Sequence, residues 1–348
     1  MKSNKEIPNR RANMSGAKDF SIIISNFNYA RFLRQSIDCA LAQTLPNVEV
    51  IVVDDGSKDE SPNIIAEYGD RIIPVVKENG GQASAFNAGF ARASAPLILF
   101  LDSDDILYPD AAEKFAAEFS NPAVVKVAAL LLVVDALGQS TGRMVPKGSL
   151  PSGSLLSTAL FRGPSSHACP PTSGNAWRRS YLEKVMPVPE GSFRICADAY
   201  LFMLTPLFGE VRALPMAIGC YRIHGNNNWA YADSIVTAEA ISRAIDFFEM
   251  RCNIMEKVIL PEQNVSASAW RYRDFGHFKL VLLRWRLFGV RWRGATLLDL
   301  LRFSLLGAAD ARDIVRVLKV ALMLIGPREF VQRLAAQSLG LLTRSASS

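Results

Sequence analysis

The chain has 348 residues, a mass of 38.2 kDa and a net charge of +6; 49% of its residues are hydrophobic and 21% are charged. A chain of this length and composition can bury a substantial core, which excludes a disordered protein and allows one large or two modest domains. The five cysteines are scattered without a CxxC pair, which argues against a disulfide scaffold or zinc cluster and fits a reducing compartment.

Residues 1–18 are polar without periodicity and are predicted to form a mobile arm. No apolar stretch typical of a secretory signal follows their basic residues. No run of about 18 uncharged apolar residues occurs in the chain, so no membrane-spanning helix is predicted. We therefore expect a cytoplasmic protein.

Nearly continuous runs of β-branched residues predict buried parallel strands at Phe20–Ser25 and Val48–Asp54. Further strands are predicted at Arg71–Val76 and Pro96–Leu101, with a helix between each strand and the next. This alternation indicates an α/β fold whose mainly parallel sheet is flanked by helices. Ligands of such sheets bind at the carboxyl ends of the strands.

The remainder of the chain divides into three parts. Residues 123–137 predict one or two further strands. Residues 146–189 are rich in Pro, Gly and Ser and predict a mostly irregular stretch with short helices near 153–161 and 180–185. From about Ala232 the pattern is helical, so we predict a catalytic domain over 19–230 and a helical region over 231–348.

Polar residues, carboxylates and glycines follow each of the first four strands. No GxGxxG motif follows the first strand and no P-loop motif occurs, which argues against dinucleotide-binding and P-loop enzymes. Because the strand ends share one edge of the sheet, these segments predict a common site. The four segments are Ser25–Asn28, Asp54–Ser57, Asn79–Gln82 and Asp102–Asp105.

The segment Asp102-Ser103-Asp104-Asp105 places three carboxylates within four residues. Like charges this close raise one another's pKa unless a cation lies among them. Mg²⁺ or Mn²⁺ prefers oxygen ligands and leaves coordination positions for phosphate oxygens. The segment is equally consistent with a solvated acidic turn that caps the next helix.

Four motifs in register resemble family 2 glycosyltransferases, which are inverting enzymes with the Rossmann-like GT-A fold that use nucleotide-diphosphate sugars. The similarity covers about residues 20–120 and weakens towards residue 230. The motifs are Phe20–Asn28 (FSIIISNFN), Val52–Asp59 (VVDDGSKD), Asn79–Gly89 (NGGQASAFNAG) and Phe100–Pro109 (FLDSDDILYP).

The resemblance implies a role for each residue of the donor site. Ser25 and Phe27 would lie beside the nucleobase, and Asp55 would accept a hydrogen bond from its imide N–H. The helix after Gly81 would face the nucleotide, with Asn87 close to the ribose. The family more often has a hydroxylated ring where this chain has Phe27.

The resemblance also implies a divalent metal site and a catalytic base. Asp102 would contact the ribose; Asp104, with Asp105 as a second ligand, would hold Mn²⁺ or Mg²⁺. In Tyr221–Asn228 (YRIHGNNN), His224 becomes the third metal ligand. In Arg194–Phe202 (RICADAYLF), Asp198 becomes the base, without the carboxylate neighbour that many members have. The structural alternatives are a helix cap for Asp198 and a loop histidine for His224.

Acceptor contacts are expected in Pro164–Arg179, between the donor motifs and the proposed base. Trp177 could stack on a sugar or a lipid, and Arg178 could contact a phosphate. A core tryptophan and a solvated arginine are the competing interpretations.

The C-terminal region carries most of the positive charge: residues 270–348 contain fourteen Lys or Arg against five Asp or Glu. The segment Arg312–Ile325 predicts a basic amphipathic helix, which suits an anionic membrane surface. Packing on the catalytic domain or on a second copy is an equal alternative. No known module supports nucleic-acid binding.

The sequence therefore predicts metal-dependent, inverting transfer of a sugar from a nucleotide diphosphate, with a UDP-sugar expected, to a hydroxyl acceptor. We expect the acceptor to be a glycan or lipid-linked glycan of polysaccharide or cell-envelope synthesis, at the cytoplasmic face of the membrane. Two alternatives are a nucleotidyltransferase of similar architecture and a catalytically silent module that binds nucleotide sugars or glycans. Asn26-Phe27-Asn28 lacks the Gly-rich basic loop that a nucleotidyltransferase needs.

Overall fold

The computed structural model describes residues 17–225, 227, 237–259, 270, 273–291 and 326–338, together with isolated positions at 298, 305, 314, 315, 317 and 318. The predicted N-terminal arm lies almost wholly outside these residues. Most of the predicted amphipathic helix Arg312–Ile325 also lies outside them.

The first half of the chain forms four parallel strands in the spatial order β3-β2-β1-β4. The predicted strand starting at Arg71 begins instead at Ile73, because Gly69–Arg71 forms a 3₁₀ turn. Helices connect these strands as the alternation predicts. The elements are β1 Phe20–Asn26, α1 Ala30–Leu41, β2 Val48–Asp54, α2 Ser61–Glu67, β3 Ile73–Val76, α3 Gln82–Arg92 and β4 Leu97–Asp102.

The second half extends the same sheet with mixed pairing. The short strand β8 lies between β4 and β6 and runs antiparallel to both, whereas β9 pairs parallel with β6. Strands β5 and β7 add antiparallel pairs to β9 and β6, so the parallel arrangement holds mainly for the first half. The elements are β5 Ile106–Leu107, α4 Ala111–Glu118, β6 Val124–Val134, β7 Ser140–Val145, α5 Leu156–Arg162, β8 Asn175–Arg178, α6 Arg179–Val185, α7 Glu190–Phe193, α8 Ala197–Phe208 and β9 Glu210–Arg222.

Within the ranges that the structure describes, the helices that follow the sheet are α9 Ala238–Val258, α10 Phe275–Phe288 and α11 Arg328–Ser338. Thr237 and Asp274 cap α9 and α10 by accepting hydrogen bonds from backbone N–H groups in the first turn. Within the described part of the chain, no helix combines the length and apolarity that crossing a bilayer requires.

Two apolar layers cover the two faces of the sheet, which explains why the central positions of β1, β2 and β4 are continuously apolar. One layer packs α1, α2 and α4 on side chains such as Ile22 and Leu99. The other packs α3, α6 and α8 on side chains such as Ile23 and Phe100. In that second layer the rings of Phe86 and Phe100 stack with centroids 4.0 Å apart.

Gly89 allows α3 to approach β1 closely. A Cβ atom at this position would lie 2.3 Å from the Cγ2 of Ile23 and 3.1 Å from the Cγ2 of Val53. Both neighbours are buried in the sheet and cannot move away cheaply. Gly89 in the third motif is therefore a helix–sheet packing residue.

We expect Gly89→Ala to lower the free energy of unfolding by about 1–3 kcal/mol, because the added methyl group overpacks the contact between α3 and β1. Urea unfolding of both proteins measures this difference. Gly191→Ala is the matched control, since a Cβ there meets no atom within 4 Å. Equal stability of the two variants would contradict the close approach.

Candidate active site

The carboxyl ends of β1 and β4 lie side by side and form one edge of the candidate site. Ser25 pairs in register with Asp102, and both residues are half-buried at the edge of the sheet. Phe27 follows β1 and is 42% exposed, so its ring is available to a ligand. The structure therefore brings three of the predicted donor residues to one edge.

Asp104 and His224, 120 positions apart, meet at this edge. The Nε2 of His224 lies 2.9 Å from the Oδ2 of Asp104, and the side-chain amide of Asn227 donates to the same oxygen at 3.1 Å. The rings of Tyr29 and Phe32 pack on His224 with centroid distances of 5.3 and 4.7 Å. The carboxylate and the imidazole are thus held together by packing as well as by hydrogen bonds.

Arg222 braces the segment that carries the carboxylates. Its Nε donates to the backbone carbonyl of Asp104 at 2.9 Å, and its other end donates to Gln35 at 2.6 Å. Its guanidinium also lies 4.9 Å from the centroid of the Phe32 ring. Because Arg222 is buried, these contacts fix the backbone of Asp104 relative to α1 and β9.

Asp105, the predicted second metal ligand, has partners within the protein. Its carboxylate is buried and accepts hydrogen bonds from the Ser173 hydroxyl at 2.7 Å and from the Arg222 backbone N–H at 2.9 Å. Burial, followed by the charges of Asp104 and Asp102, raises the pKa of Asp105 well above its ordinary value. Asp105 therefore links the acidic segment to the turn before β8 and to the end of β9.

Asp102 is set beside Asp104 and the proposed base. Burial, then the charges of Asp104 and Asp198, raises its pKa to about 8. The side-chain amide of Gln82 lies 3.4 Å from one of its oxygens. The carboxylates crowd one another, which is the situation that a divalent cation relieves.

Asp198 is the second residue of α8 and faces the same edge. Its carboxylate accepts hydrogen bonds from the Thr172 hydroxyl at 3.2 Å and from the Ala199 N–H at 2.8 Å. Burial is the largest cause of its raised pKa. Cys196, just before α8, has a left-handed backbone with φ 69°, a conformation that non-glycine residues adopt mainly at constrained sites.

Gln82 connects the donor side to the base; the sequence predicted the segment Asn79–Gln82 at the site but gave Gln82 no role of its own. Its Nε2 points to Asp102, while its Oε1 accepts a hydrogen bond from the Ala197 N–H at 2.9 Å. One side chain therefore links the starts of α3 and α8. Its place after the Asn79-Gly80-Gly81 turn was the only available signal.

Asp55 lies at the expected edge, but its carboxylate is already saturated. One oxygen accepts from Lys77 Nζ at 2.6 Å and the Gly80 N–H at 3.0 Å; the other accepts from Asn79 Nδ2 at 3.1 Å and the Gly81 N–H at 2.7 Å. These four bonds fill its acceptor positions. Asp55 thus organises the glycine turn, and the predicted bond to a nucleobase imide has no free oxygen in this structure.

Two further donor candidates also have structural roles. The amide of Asn87 exchanges hydrogen bonds with the backbone of Val188, at 3.0 and 2.8 Å, so it fastens α3 to the segment before α7, and its ribose contact stays a prediction. Gly81 has φ 87°, and a Cβ there would lie 2.5 Å from Arg194 atoms. The N–H of Gln82 donates to the Arg194 carbonyl, so protein atoms occupy the start of α3.

The predicted acceptor residues are corrected by the structure. Trp177 is buried in β8, and its ring packs between Tyr181 and Phe202 with centroids 5.8 and 5.7 Å away. Arg178 donates to the backbone carbonyls of Phe119, at 2.7 Å, and Val124, at 2.9 Å. Trp177 is a core residue, and Arg178 fastens the end of β8 to its neighbours.

The buried Lys126 lies within electrostatic reach of Asp198. Its Nζ is 3.4 Å from the Cys169 sulfur and 4.2 Å from the centroid of the Phe202 ring. Its charge and the burial of the ring lower the pKa of His167 to about 3, with burial the larger cause. His167 is therefore neutral in the folded protein at physiological pH.

No group of three or more His, Cys, Asp or Glu side chains in the described part of the chain has the arrangement of a protein-only metal cage. Asp104 and His224 supply two ligand atoms, a carboxylate oxygen and an imidazole nitrogen. Such a pair leaves the remaining coordination positions of a divalent ion to water or phosphate oxygens.

Comparison with known proteins places this site in a family. The profile of glycosyl transferase family 2 matches residues 21–184, from β1 into α6. An uncharacterized glycosyltransferase of Nostoc sp. is 38% identical over 229 residues, which cover 64% of this chain and 71% of that relative. The chain belongs to glycosyltransferase family 2. A second uncharacterized glycosyltransferase, from Rickettsia prowazekii, is 48% identical over 93 residues, which are 27% of this chain and 29% of the relative.

Solved structures confirm the GT-A fold of this glycosyltransferase. S. aureus TarS matches with a TM-score of 0.53 at 16% identity, over 90% of this chain and 55% of TarS, so the chain spans about half of that protein. The mannosyltransferase PcManGT from Pyrobaculum calidifontis matches with a TM-score of 0.51 at 15% identity, over 94% of this chain and 86% of that one.

We expect His167→Gln to make stability less sensitive to acid. The folded pKa of about 3 lies below the ordinary value of 6.5, so the unfolded chain binds a proton that the folded chain does not. This contribution to stability is complete above pH 6.5 and is lost as the pH falls towards 3. Urea titrations across this range should show a smaller decrease for the variant; equal slopes would contradict a neutral His167.

Proposed function

We propose that this family 2 glycosyltransferase moves a sugar from a nucleotide-diphosphate donor, with a UDP-sugar expected, to a hydroxyl acceptor with inversion. The observation that carries the proposal is the meeting of Asp104 and His224 at 2.9 Å beside Asp102, on the edge that Asp198 also faces. The neighbouring structures support the donor class, since one is TarS in complex with UDP-GlcNAc and another is PcManGT in complex with GDP-Man and Mn²⁺.

The residues fit a divalent cation, Mn²⁺ or Mg²⁺. The side chain of Asp104 is 12% exposed, and its carboxylate contacts the imidazole of His224. Burial, and after it the charges of the neighbouring carboxylates, raises the pKa of both Asp102 and Asp105, so a cation beside Asp104 would relieve this crowding. We propose that Asp104 and His224 hold the ion. When bound, such an ion acts as a Lewis acid that stabilises the charge gained by the leaving nucleoside diphosphate.

On the donor side, we propose that the open edge between β1 and β4 receives the nucleoside. The exposed ring of Phe27 offers a face on which a base can stack. Ser25 and Asp102 lie next to each other and present a hydroxyl and a carboxylate to a ribose. Gln82 keeps Asp102 oriented towards this edge.

On the acceptor side, we propose that Asp198 takes the proton of the attacking hydroxyl. The acceptor oxygen forms a bond to the anomeric carbon as the bond from that carbon to the diphosphate oxygen breaks. The electron pair of the broken bond leaves with the diphosphate, and the hydroxyl proton goes to Asp198. The raised pKa of Asp198 makes it a stronger proton acceptor, and attack opposite to the leaving group inverts the anomeric centre.

We also propose a place for the reaction in the cell. The fourteen Lys and Arg residues of 270–348 favour an anionic surface, which fits a peripheral contact at the cytoplasmic face of the membrane. A glycan or lipid-linked glycan of cell-envelope or polysaccharide synthesis is the acceptor consistent with that position.

We expect Asp104→Asn to weaken UDP binding in the presence of Mn²⁺ by roughly 10- to 100-fold, because the variant loses the anionic ligand while keeping its shape. Calorimetric titration of UDP with and without Mn²⁺ measures the effect. Asp70→Asn removes a charge from an exposed turn and is the control. Unchanged Mn²⁺-dependent affinity in Asp104→Asn would rule out this ligand.

We expect Asp198→Asn to slow the release of UDP from a UDP-sugar by about 10²–10⁴-fold, because an amide cannot accept the proton. The affinity for UDP with Mn²⁺ should stay unchanged, which separates loss of the base from loss of the donor site. Asp246→Asn, on an exposed position of α9, is the control. NMR of the product anomer tests inversion, and a variant with full turnover would remove Asp198 from the mechanism.

A further inference from the structure

A cavity of about 340 Å³ lies away from the donor edge, between the end of α5 and the helices α9 and α10. This volume is at the lower end of the range of small-molecule sites. Arg162, Arg251 and Arg273 line it together with Ser165, Asp274 and His277. None of these residues takes part in the donor site described above.

The walls of this arginine cavity carry more positive than negative charge. Three guanidinium groups face one carboxylate, that of Asp274. Asp274 is buried and already caps α10 by accepting a hydrogen bond from the His277 N–H at 2.7 Å. Glu249 lies 3.7 Å from the His277 ring and is the acidic group that faces that side. The cavity therefore favours an anion.

Arg251 and Arg273 are held in place by hydrogen bonds and ring contacts, and Arg251 also lies within electrostatic reach of the buried Asp274. Arg251 donates to the Ser165 hydroxyl at 3.1 Å and packs 5.0 Å from the ring centroid of Phe247. Its Nε is buried and has no acceptor among the described residues. Arg273 packs 4.3 Å from the ring centroid of Phe161. Buried donors on fixed guanidinium groups match the oxygens of a phosphate.

The loop and helix that form the cavity also lead to the proposed base. Ser165 belongs to the loop that continues to Thr172, whose hydroxyl donates to Asp198 at 3.2 Å. The Cys196 thiol lies within electrostatic reach of both Arg251 and Asp198, since the first lowers its pKa and the second raises it. Cys169, which follows Ser165 in this loop, is likewise within electrostatic reach of both Asp198 and Arg251, so one end of the cavity lies near the proposed base.

We propose that the arginine cavity binds a phosphoryl group of the acceptor, so that the preferred acceptor is a phosphorylated hydroxyl compound. This inference rests on the proposed function and names its substrate class. Arg251 and Arg273 hold the phosphate oxygens, and the acceptor hydroxyl extends from there towards Asp198.

The test measures binding of inorganic phosphate and of glycerol 3-phosphate to the full-length protein saturated with UDP and Mn²⁺, so that the donor site is filled. We expect Arg251→Gln and Arg273→Gln each to weaken this binding roughly tenfold or more, because each removes a charged donor. Arg92→Gln removes the same charge from the exposed end of α3 and should bind as the wild type does. Thermal unfolding of each variant shows whether it folds. If Arg251→Gln fails to fold, Arg273→Gln alone tests the proposal.

Vesicles of phosphatidylcholine with phosphatidic acid, compared with phosphatidylcholine alone, distinguish a lipid phosphate from a soluble one. If the protein binds the vesicles that contain phosphatidic acid, and Arg251→Gln weakens this binding, the phosphate belongs to a lipid. If the protein binds glycerol 3-phosphate but not these vesicles, the phosphate belongs to a soluble compound. The cavity proposal is wrong, while the donor site stands, if UDP binds with Mn²⁺ but phosphate does not bind. It is equally wrong if phosphate binds to Arg251→Gln and Arg273→Gln as tightly as to Arg92→Gln. If UDP itself fails to bind, the proposed function is wrong.

Discussion

Mutual repulsion among the carboxylates at the end of β4 is the constraint around which the site is built. Each carboxylate has its own partners from distant parts of the chain: Asp102 has Gln82, Asp104 has His224 and Asn227, and Asp105 has Ser173 and Arg222. Four residues of sequence thereby hold α3, the start of β8 and the end of β9 in fixed positions. Leaving such charges close together without these partners would be costly, so the same groups that create the site also fix its geometry.

Asp55, at the end of β2, affects the geometry of the site through hydrogen bonds to a neighbouring turn. Asp55 uses both oxygens to hold the Asn79-Gly80-Gly81 turn, and that turn starts α3 at the position from which Gln82 reaches Asp102. The glycine turn and the acidic segment, which are separate motifs in the sequence, are therefore one hydrogen-bonded assembly. Replacing Asp55 would act on the donor edge through the backbone.

The features that could be predicted from the sequence are those that depend on runs of hydrophobic residues or on recognisable motifs. The parallel strands β1, β2 and β4, and the meeting of Asp104 with His224, required only continuous apolar segments and recognisable neighbours. Strand β8 was missed because its four residues lie in a Pro-, Gly- and Ser-rich stretch that has no strand periodicity. That omission also explains the error on Trp177, which looked like a loop residue and proved to be a core residue of the sheet. The saturation of Asp55 depends on backbone geometry that no residue pattern reveals.

The three-residue turn Thr172–Gly174 touches both halves of the site at once. Ser173 accepts from the backbone N–H of Asp102 and donates to Asp105, while Thr172 donates to Asp198. A long, mostly irregular segment, 146–171, connects β7 to this turn and contains the short helix α5. Insertions, deletions and substitutions can therefore accumulate in that segment while the turn preserves the spacing of the three aspartates. Changes of sequence in that segment would alter the surroundings of Asp198 while leaving the distance between the two halves of the site unchanged.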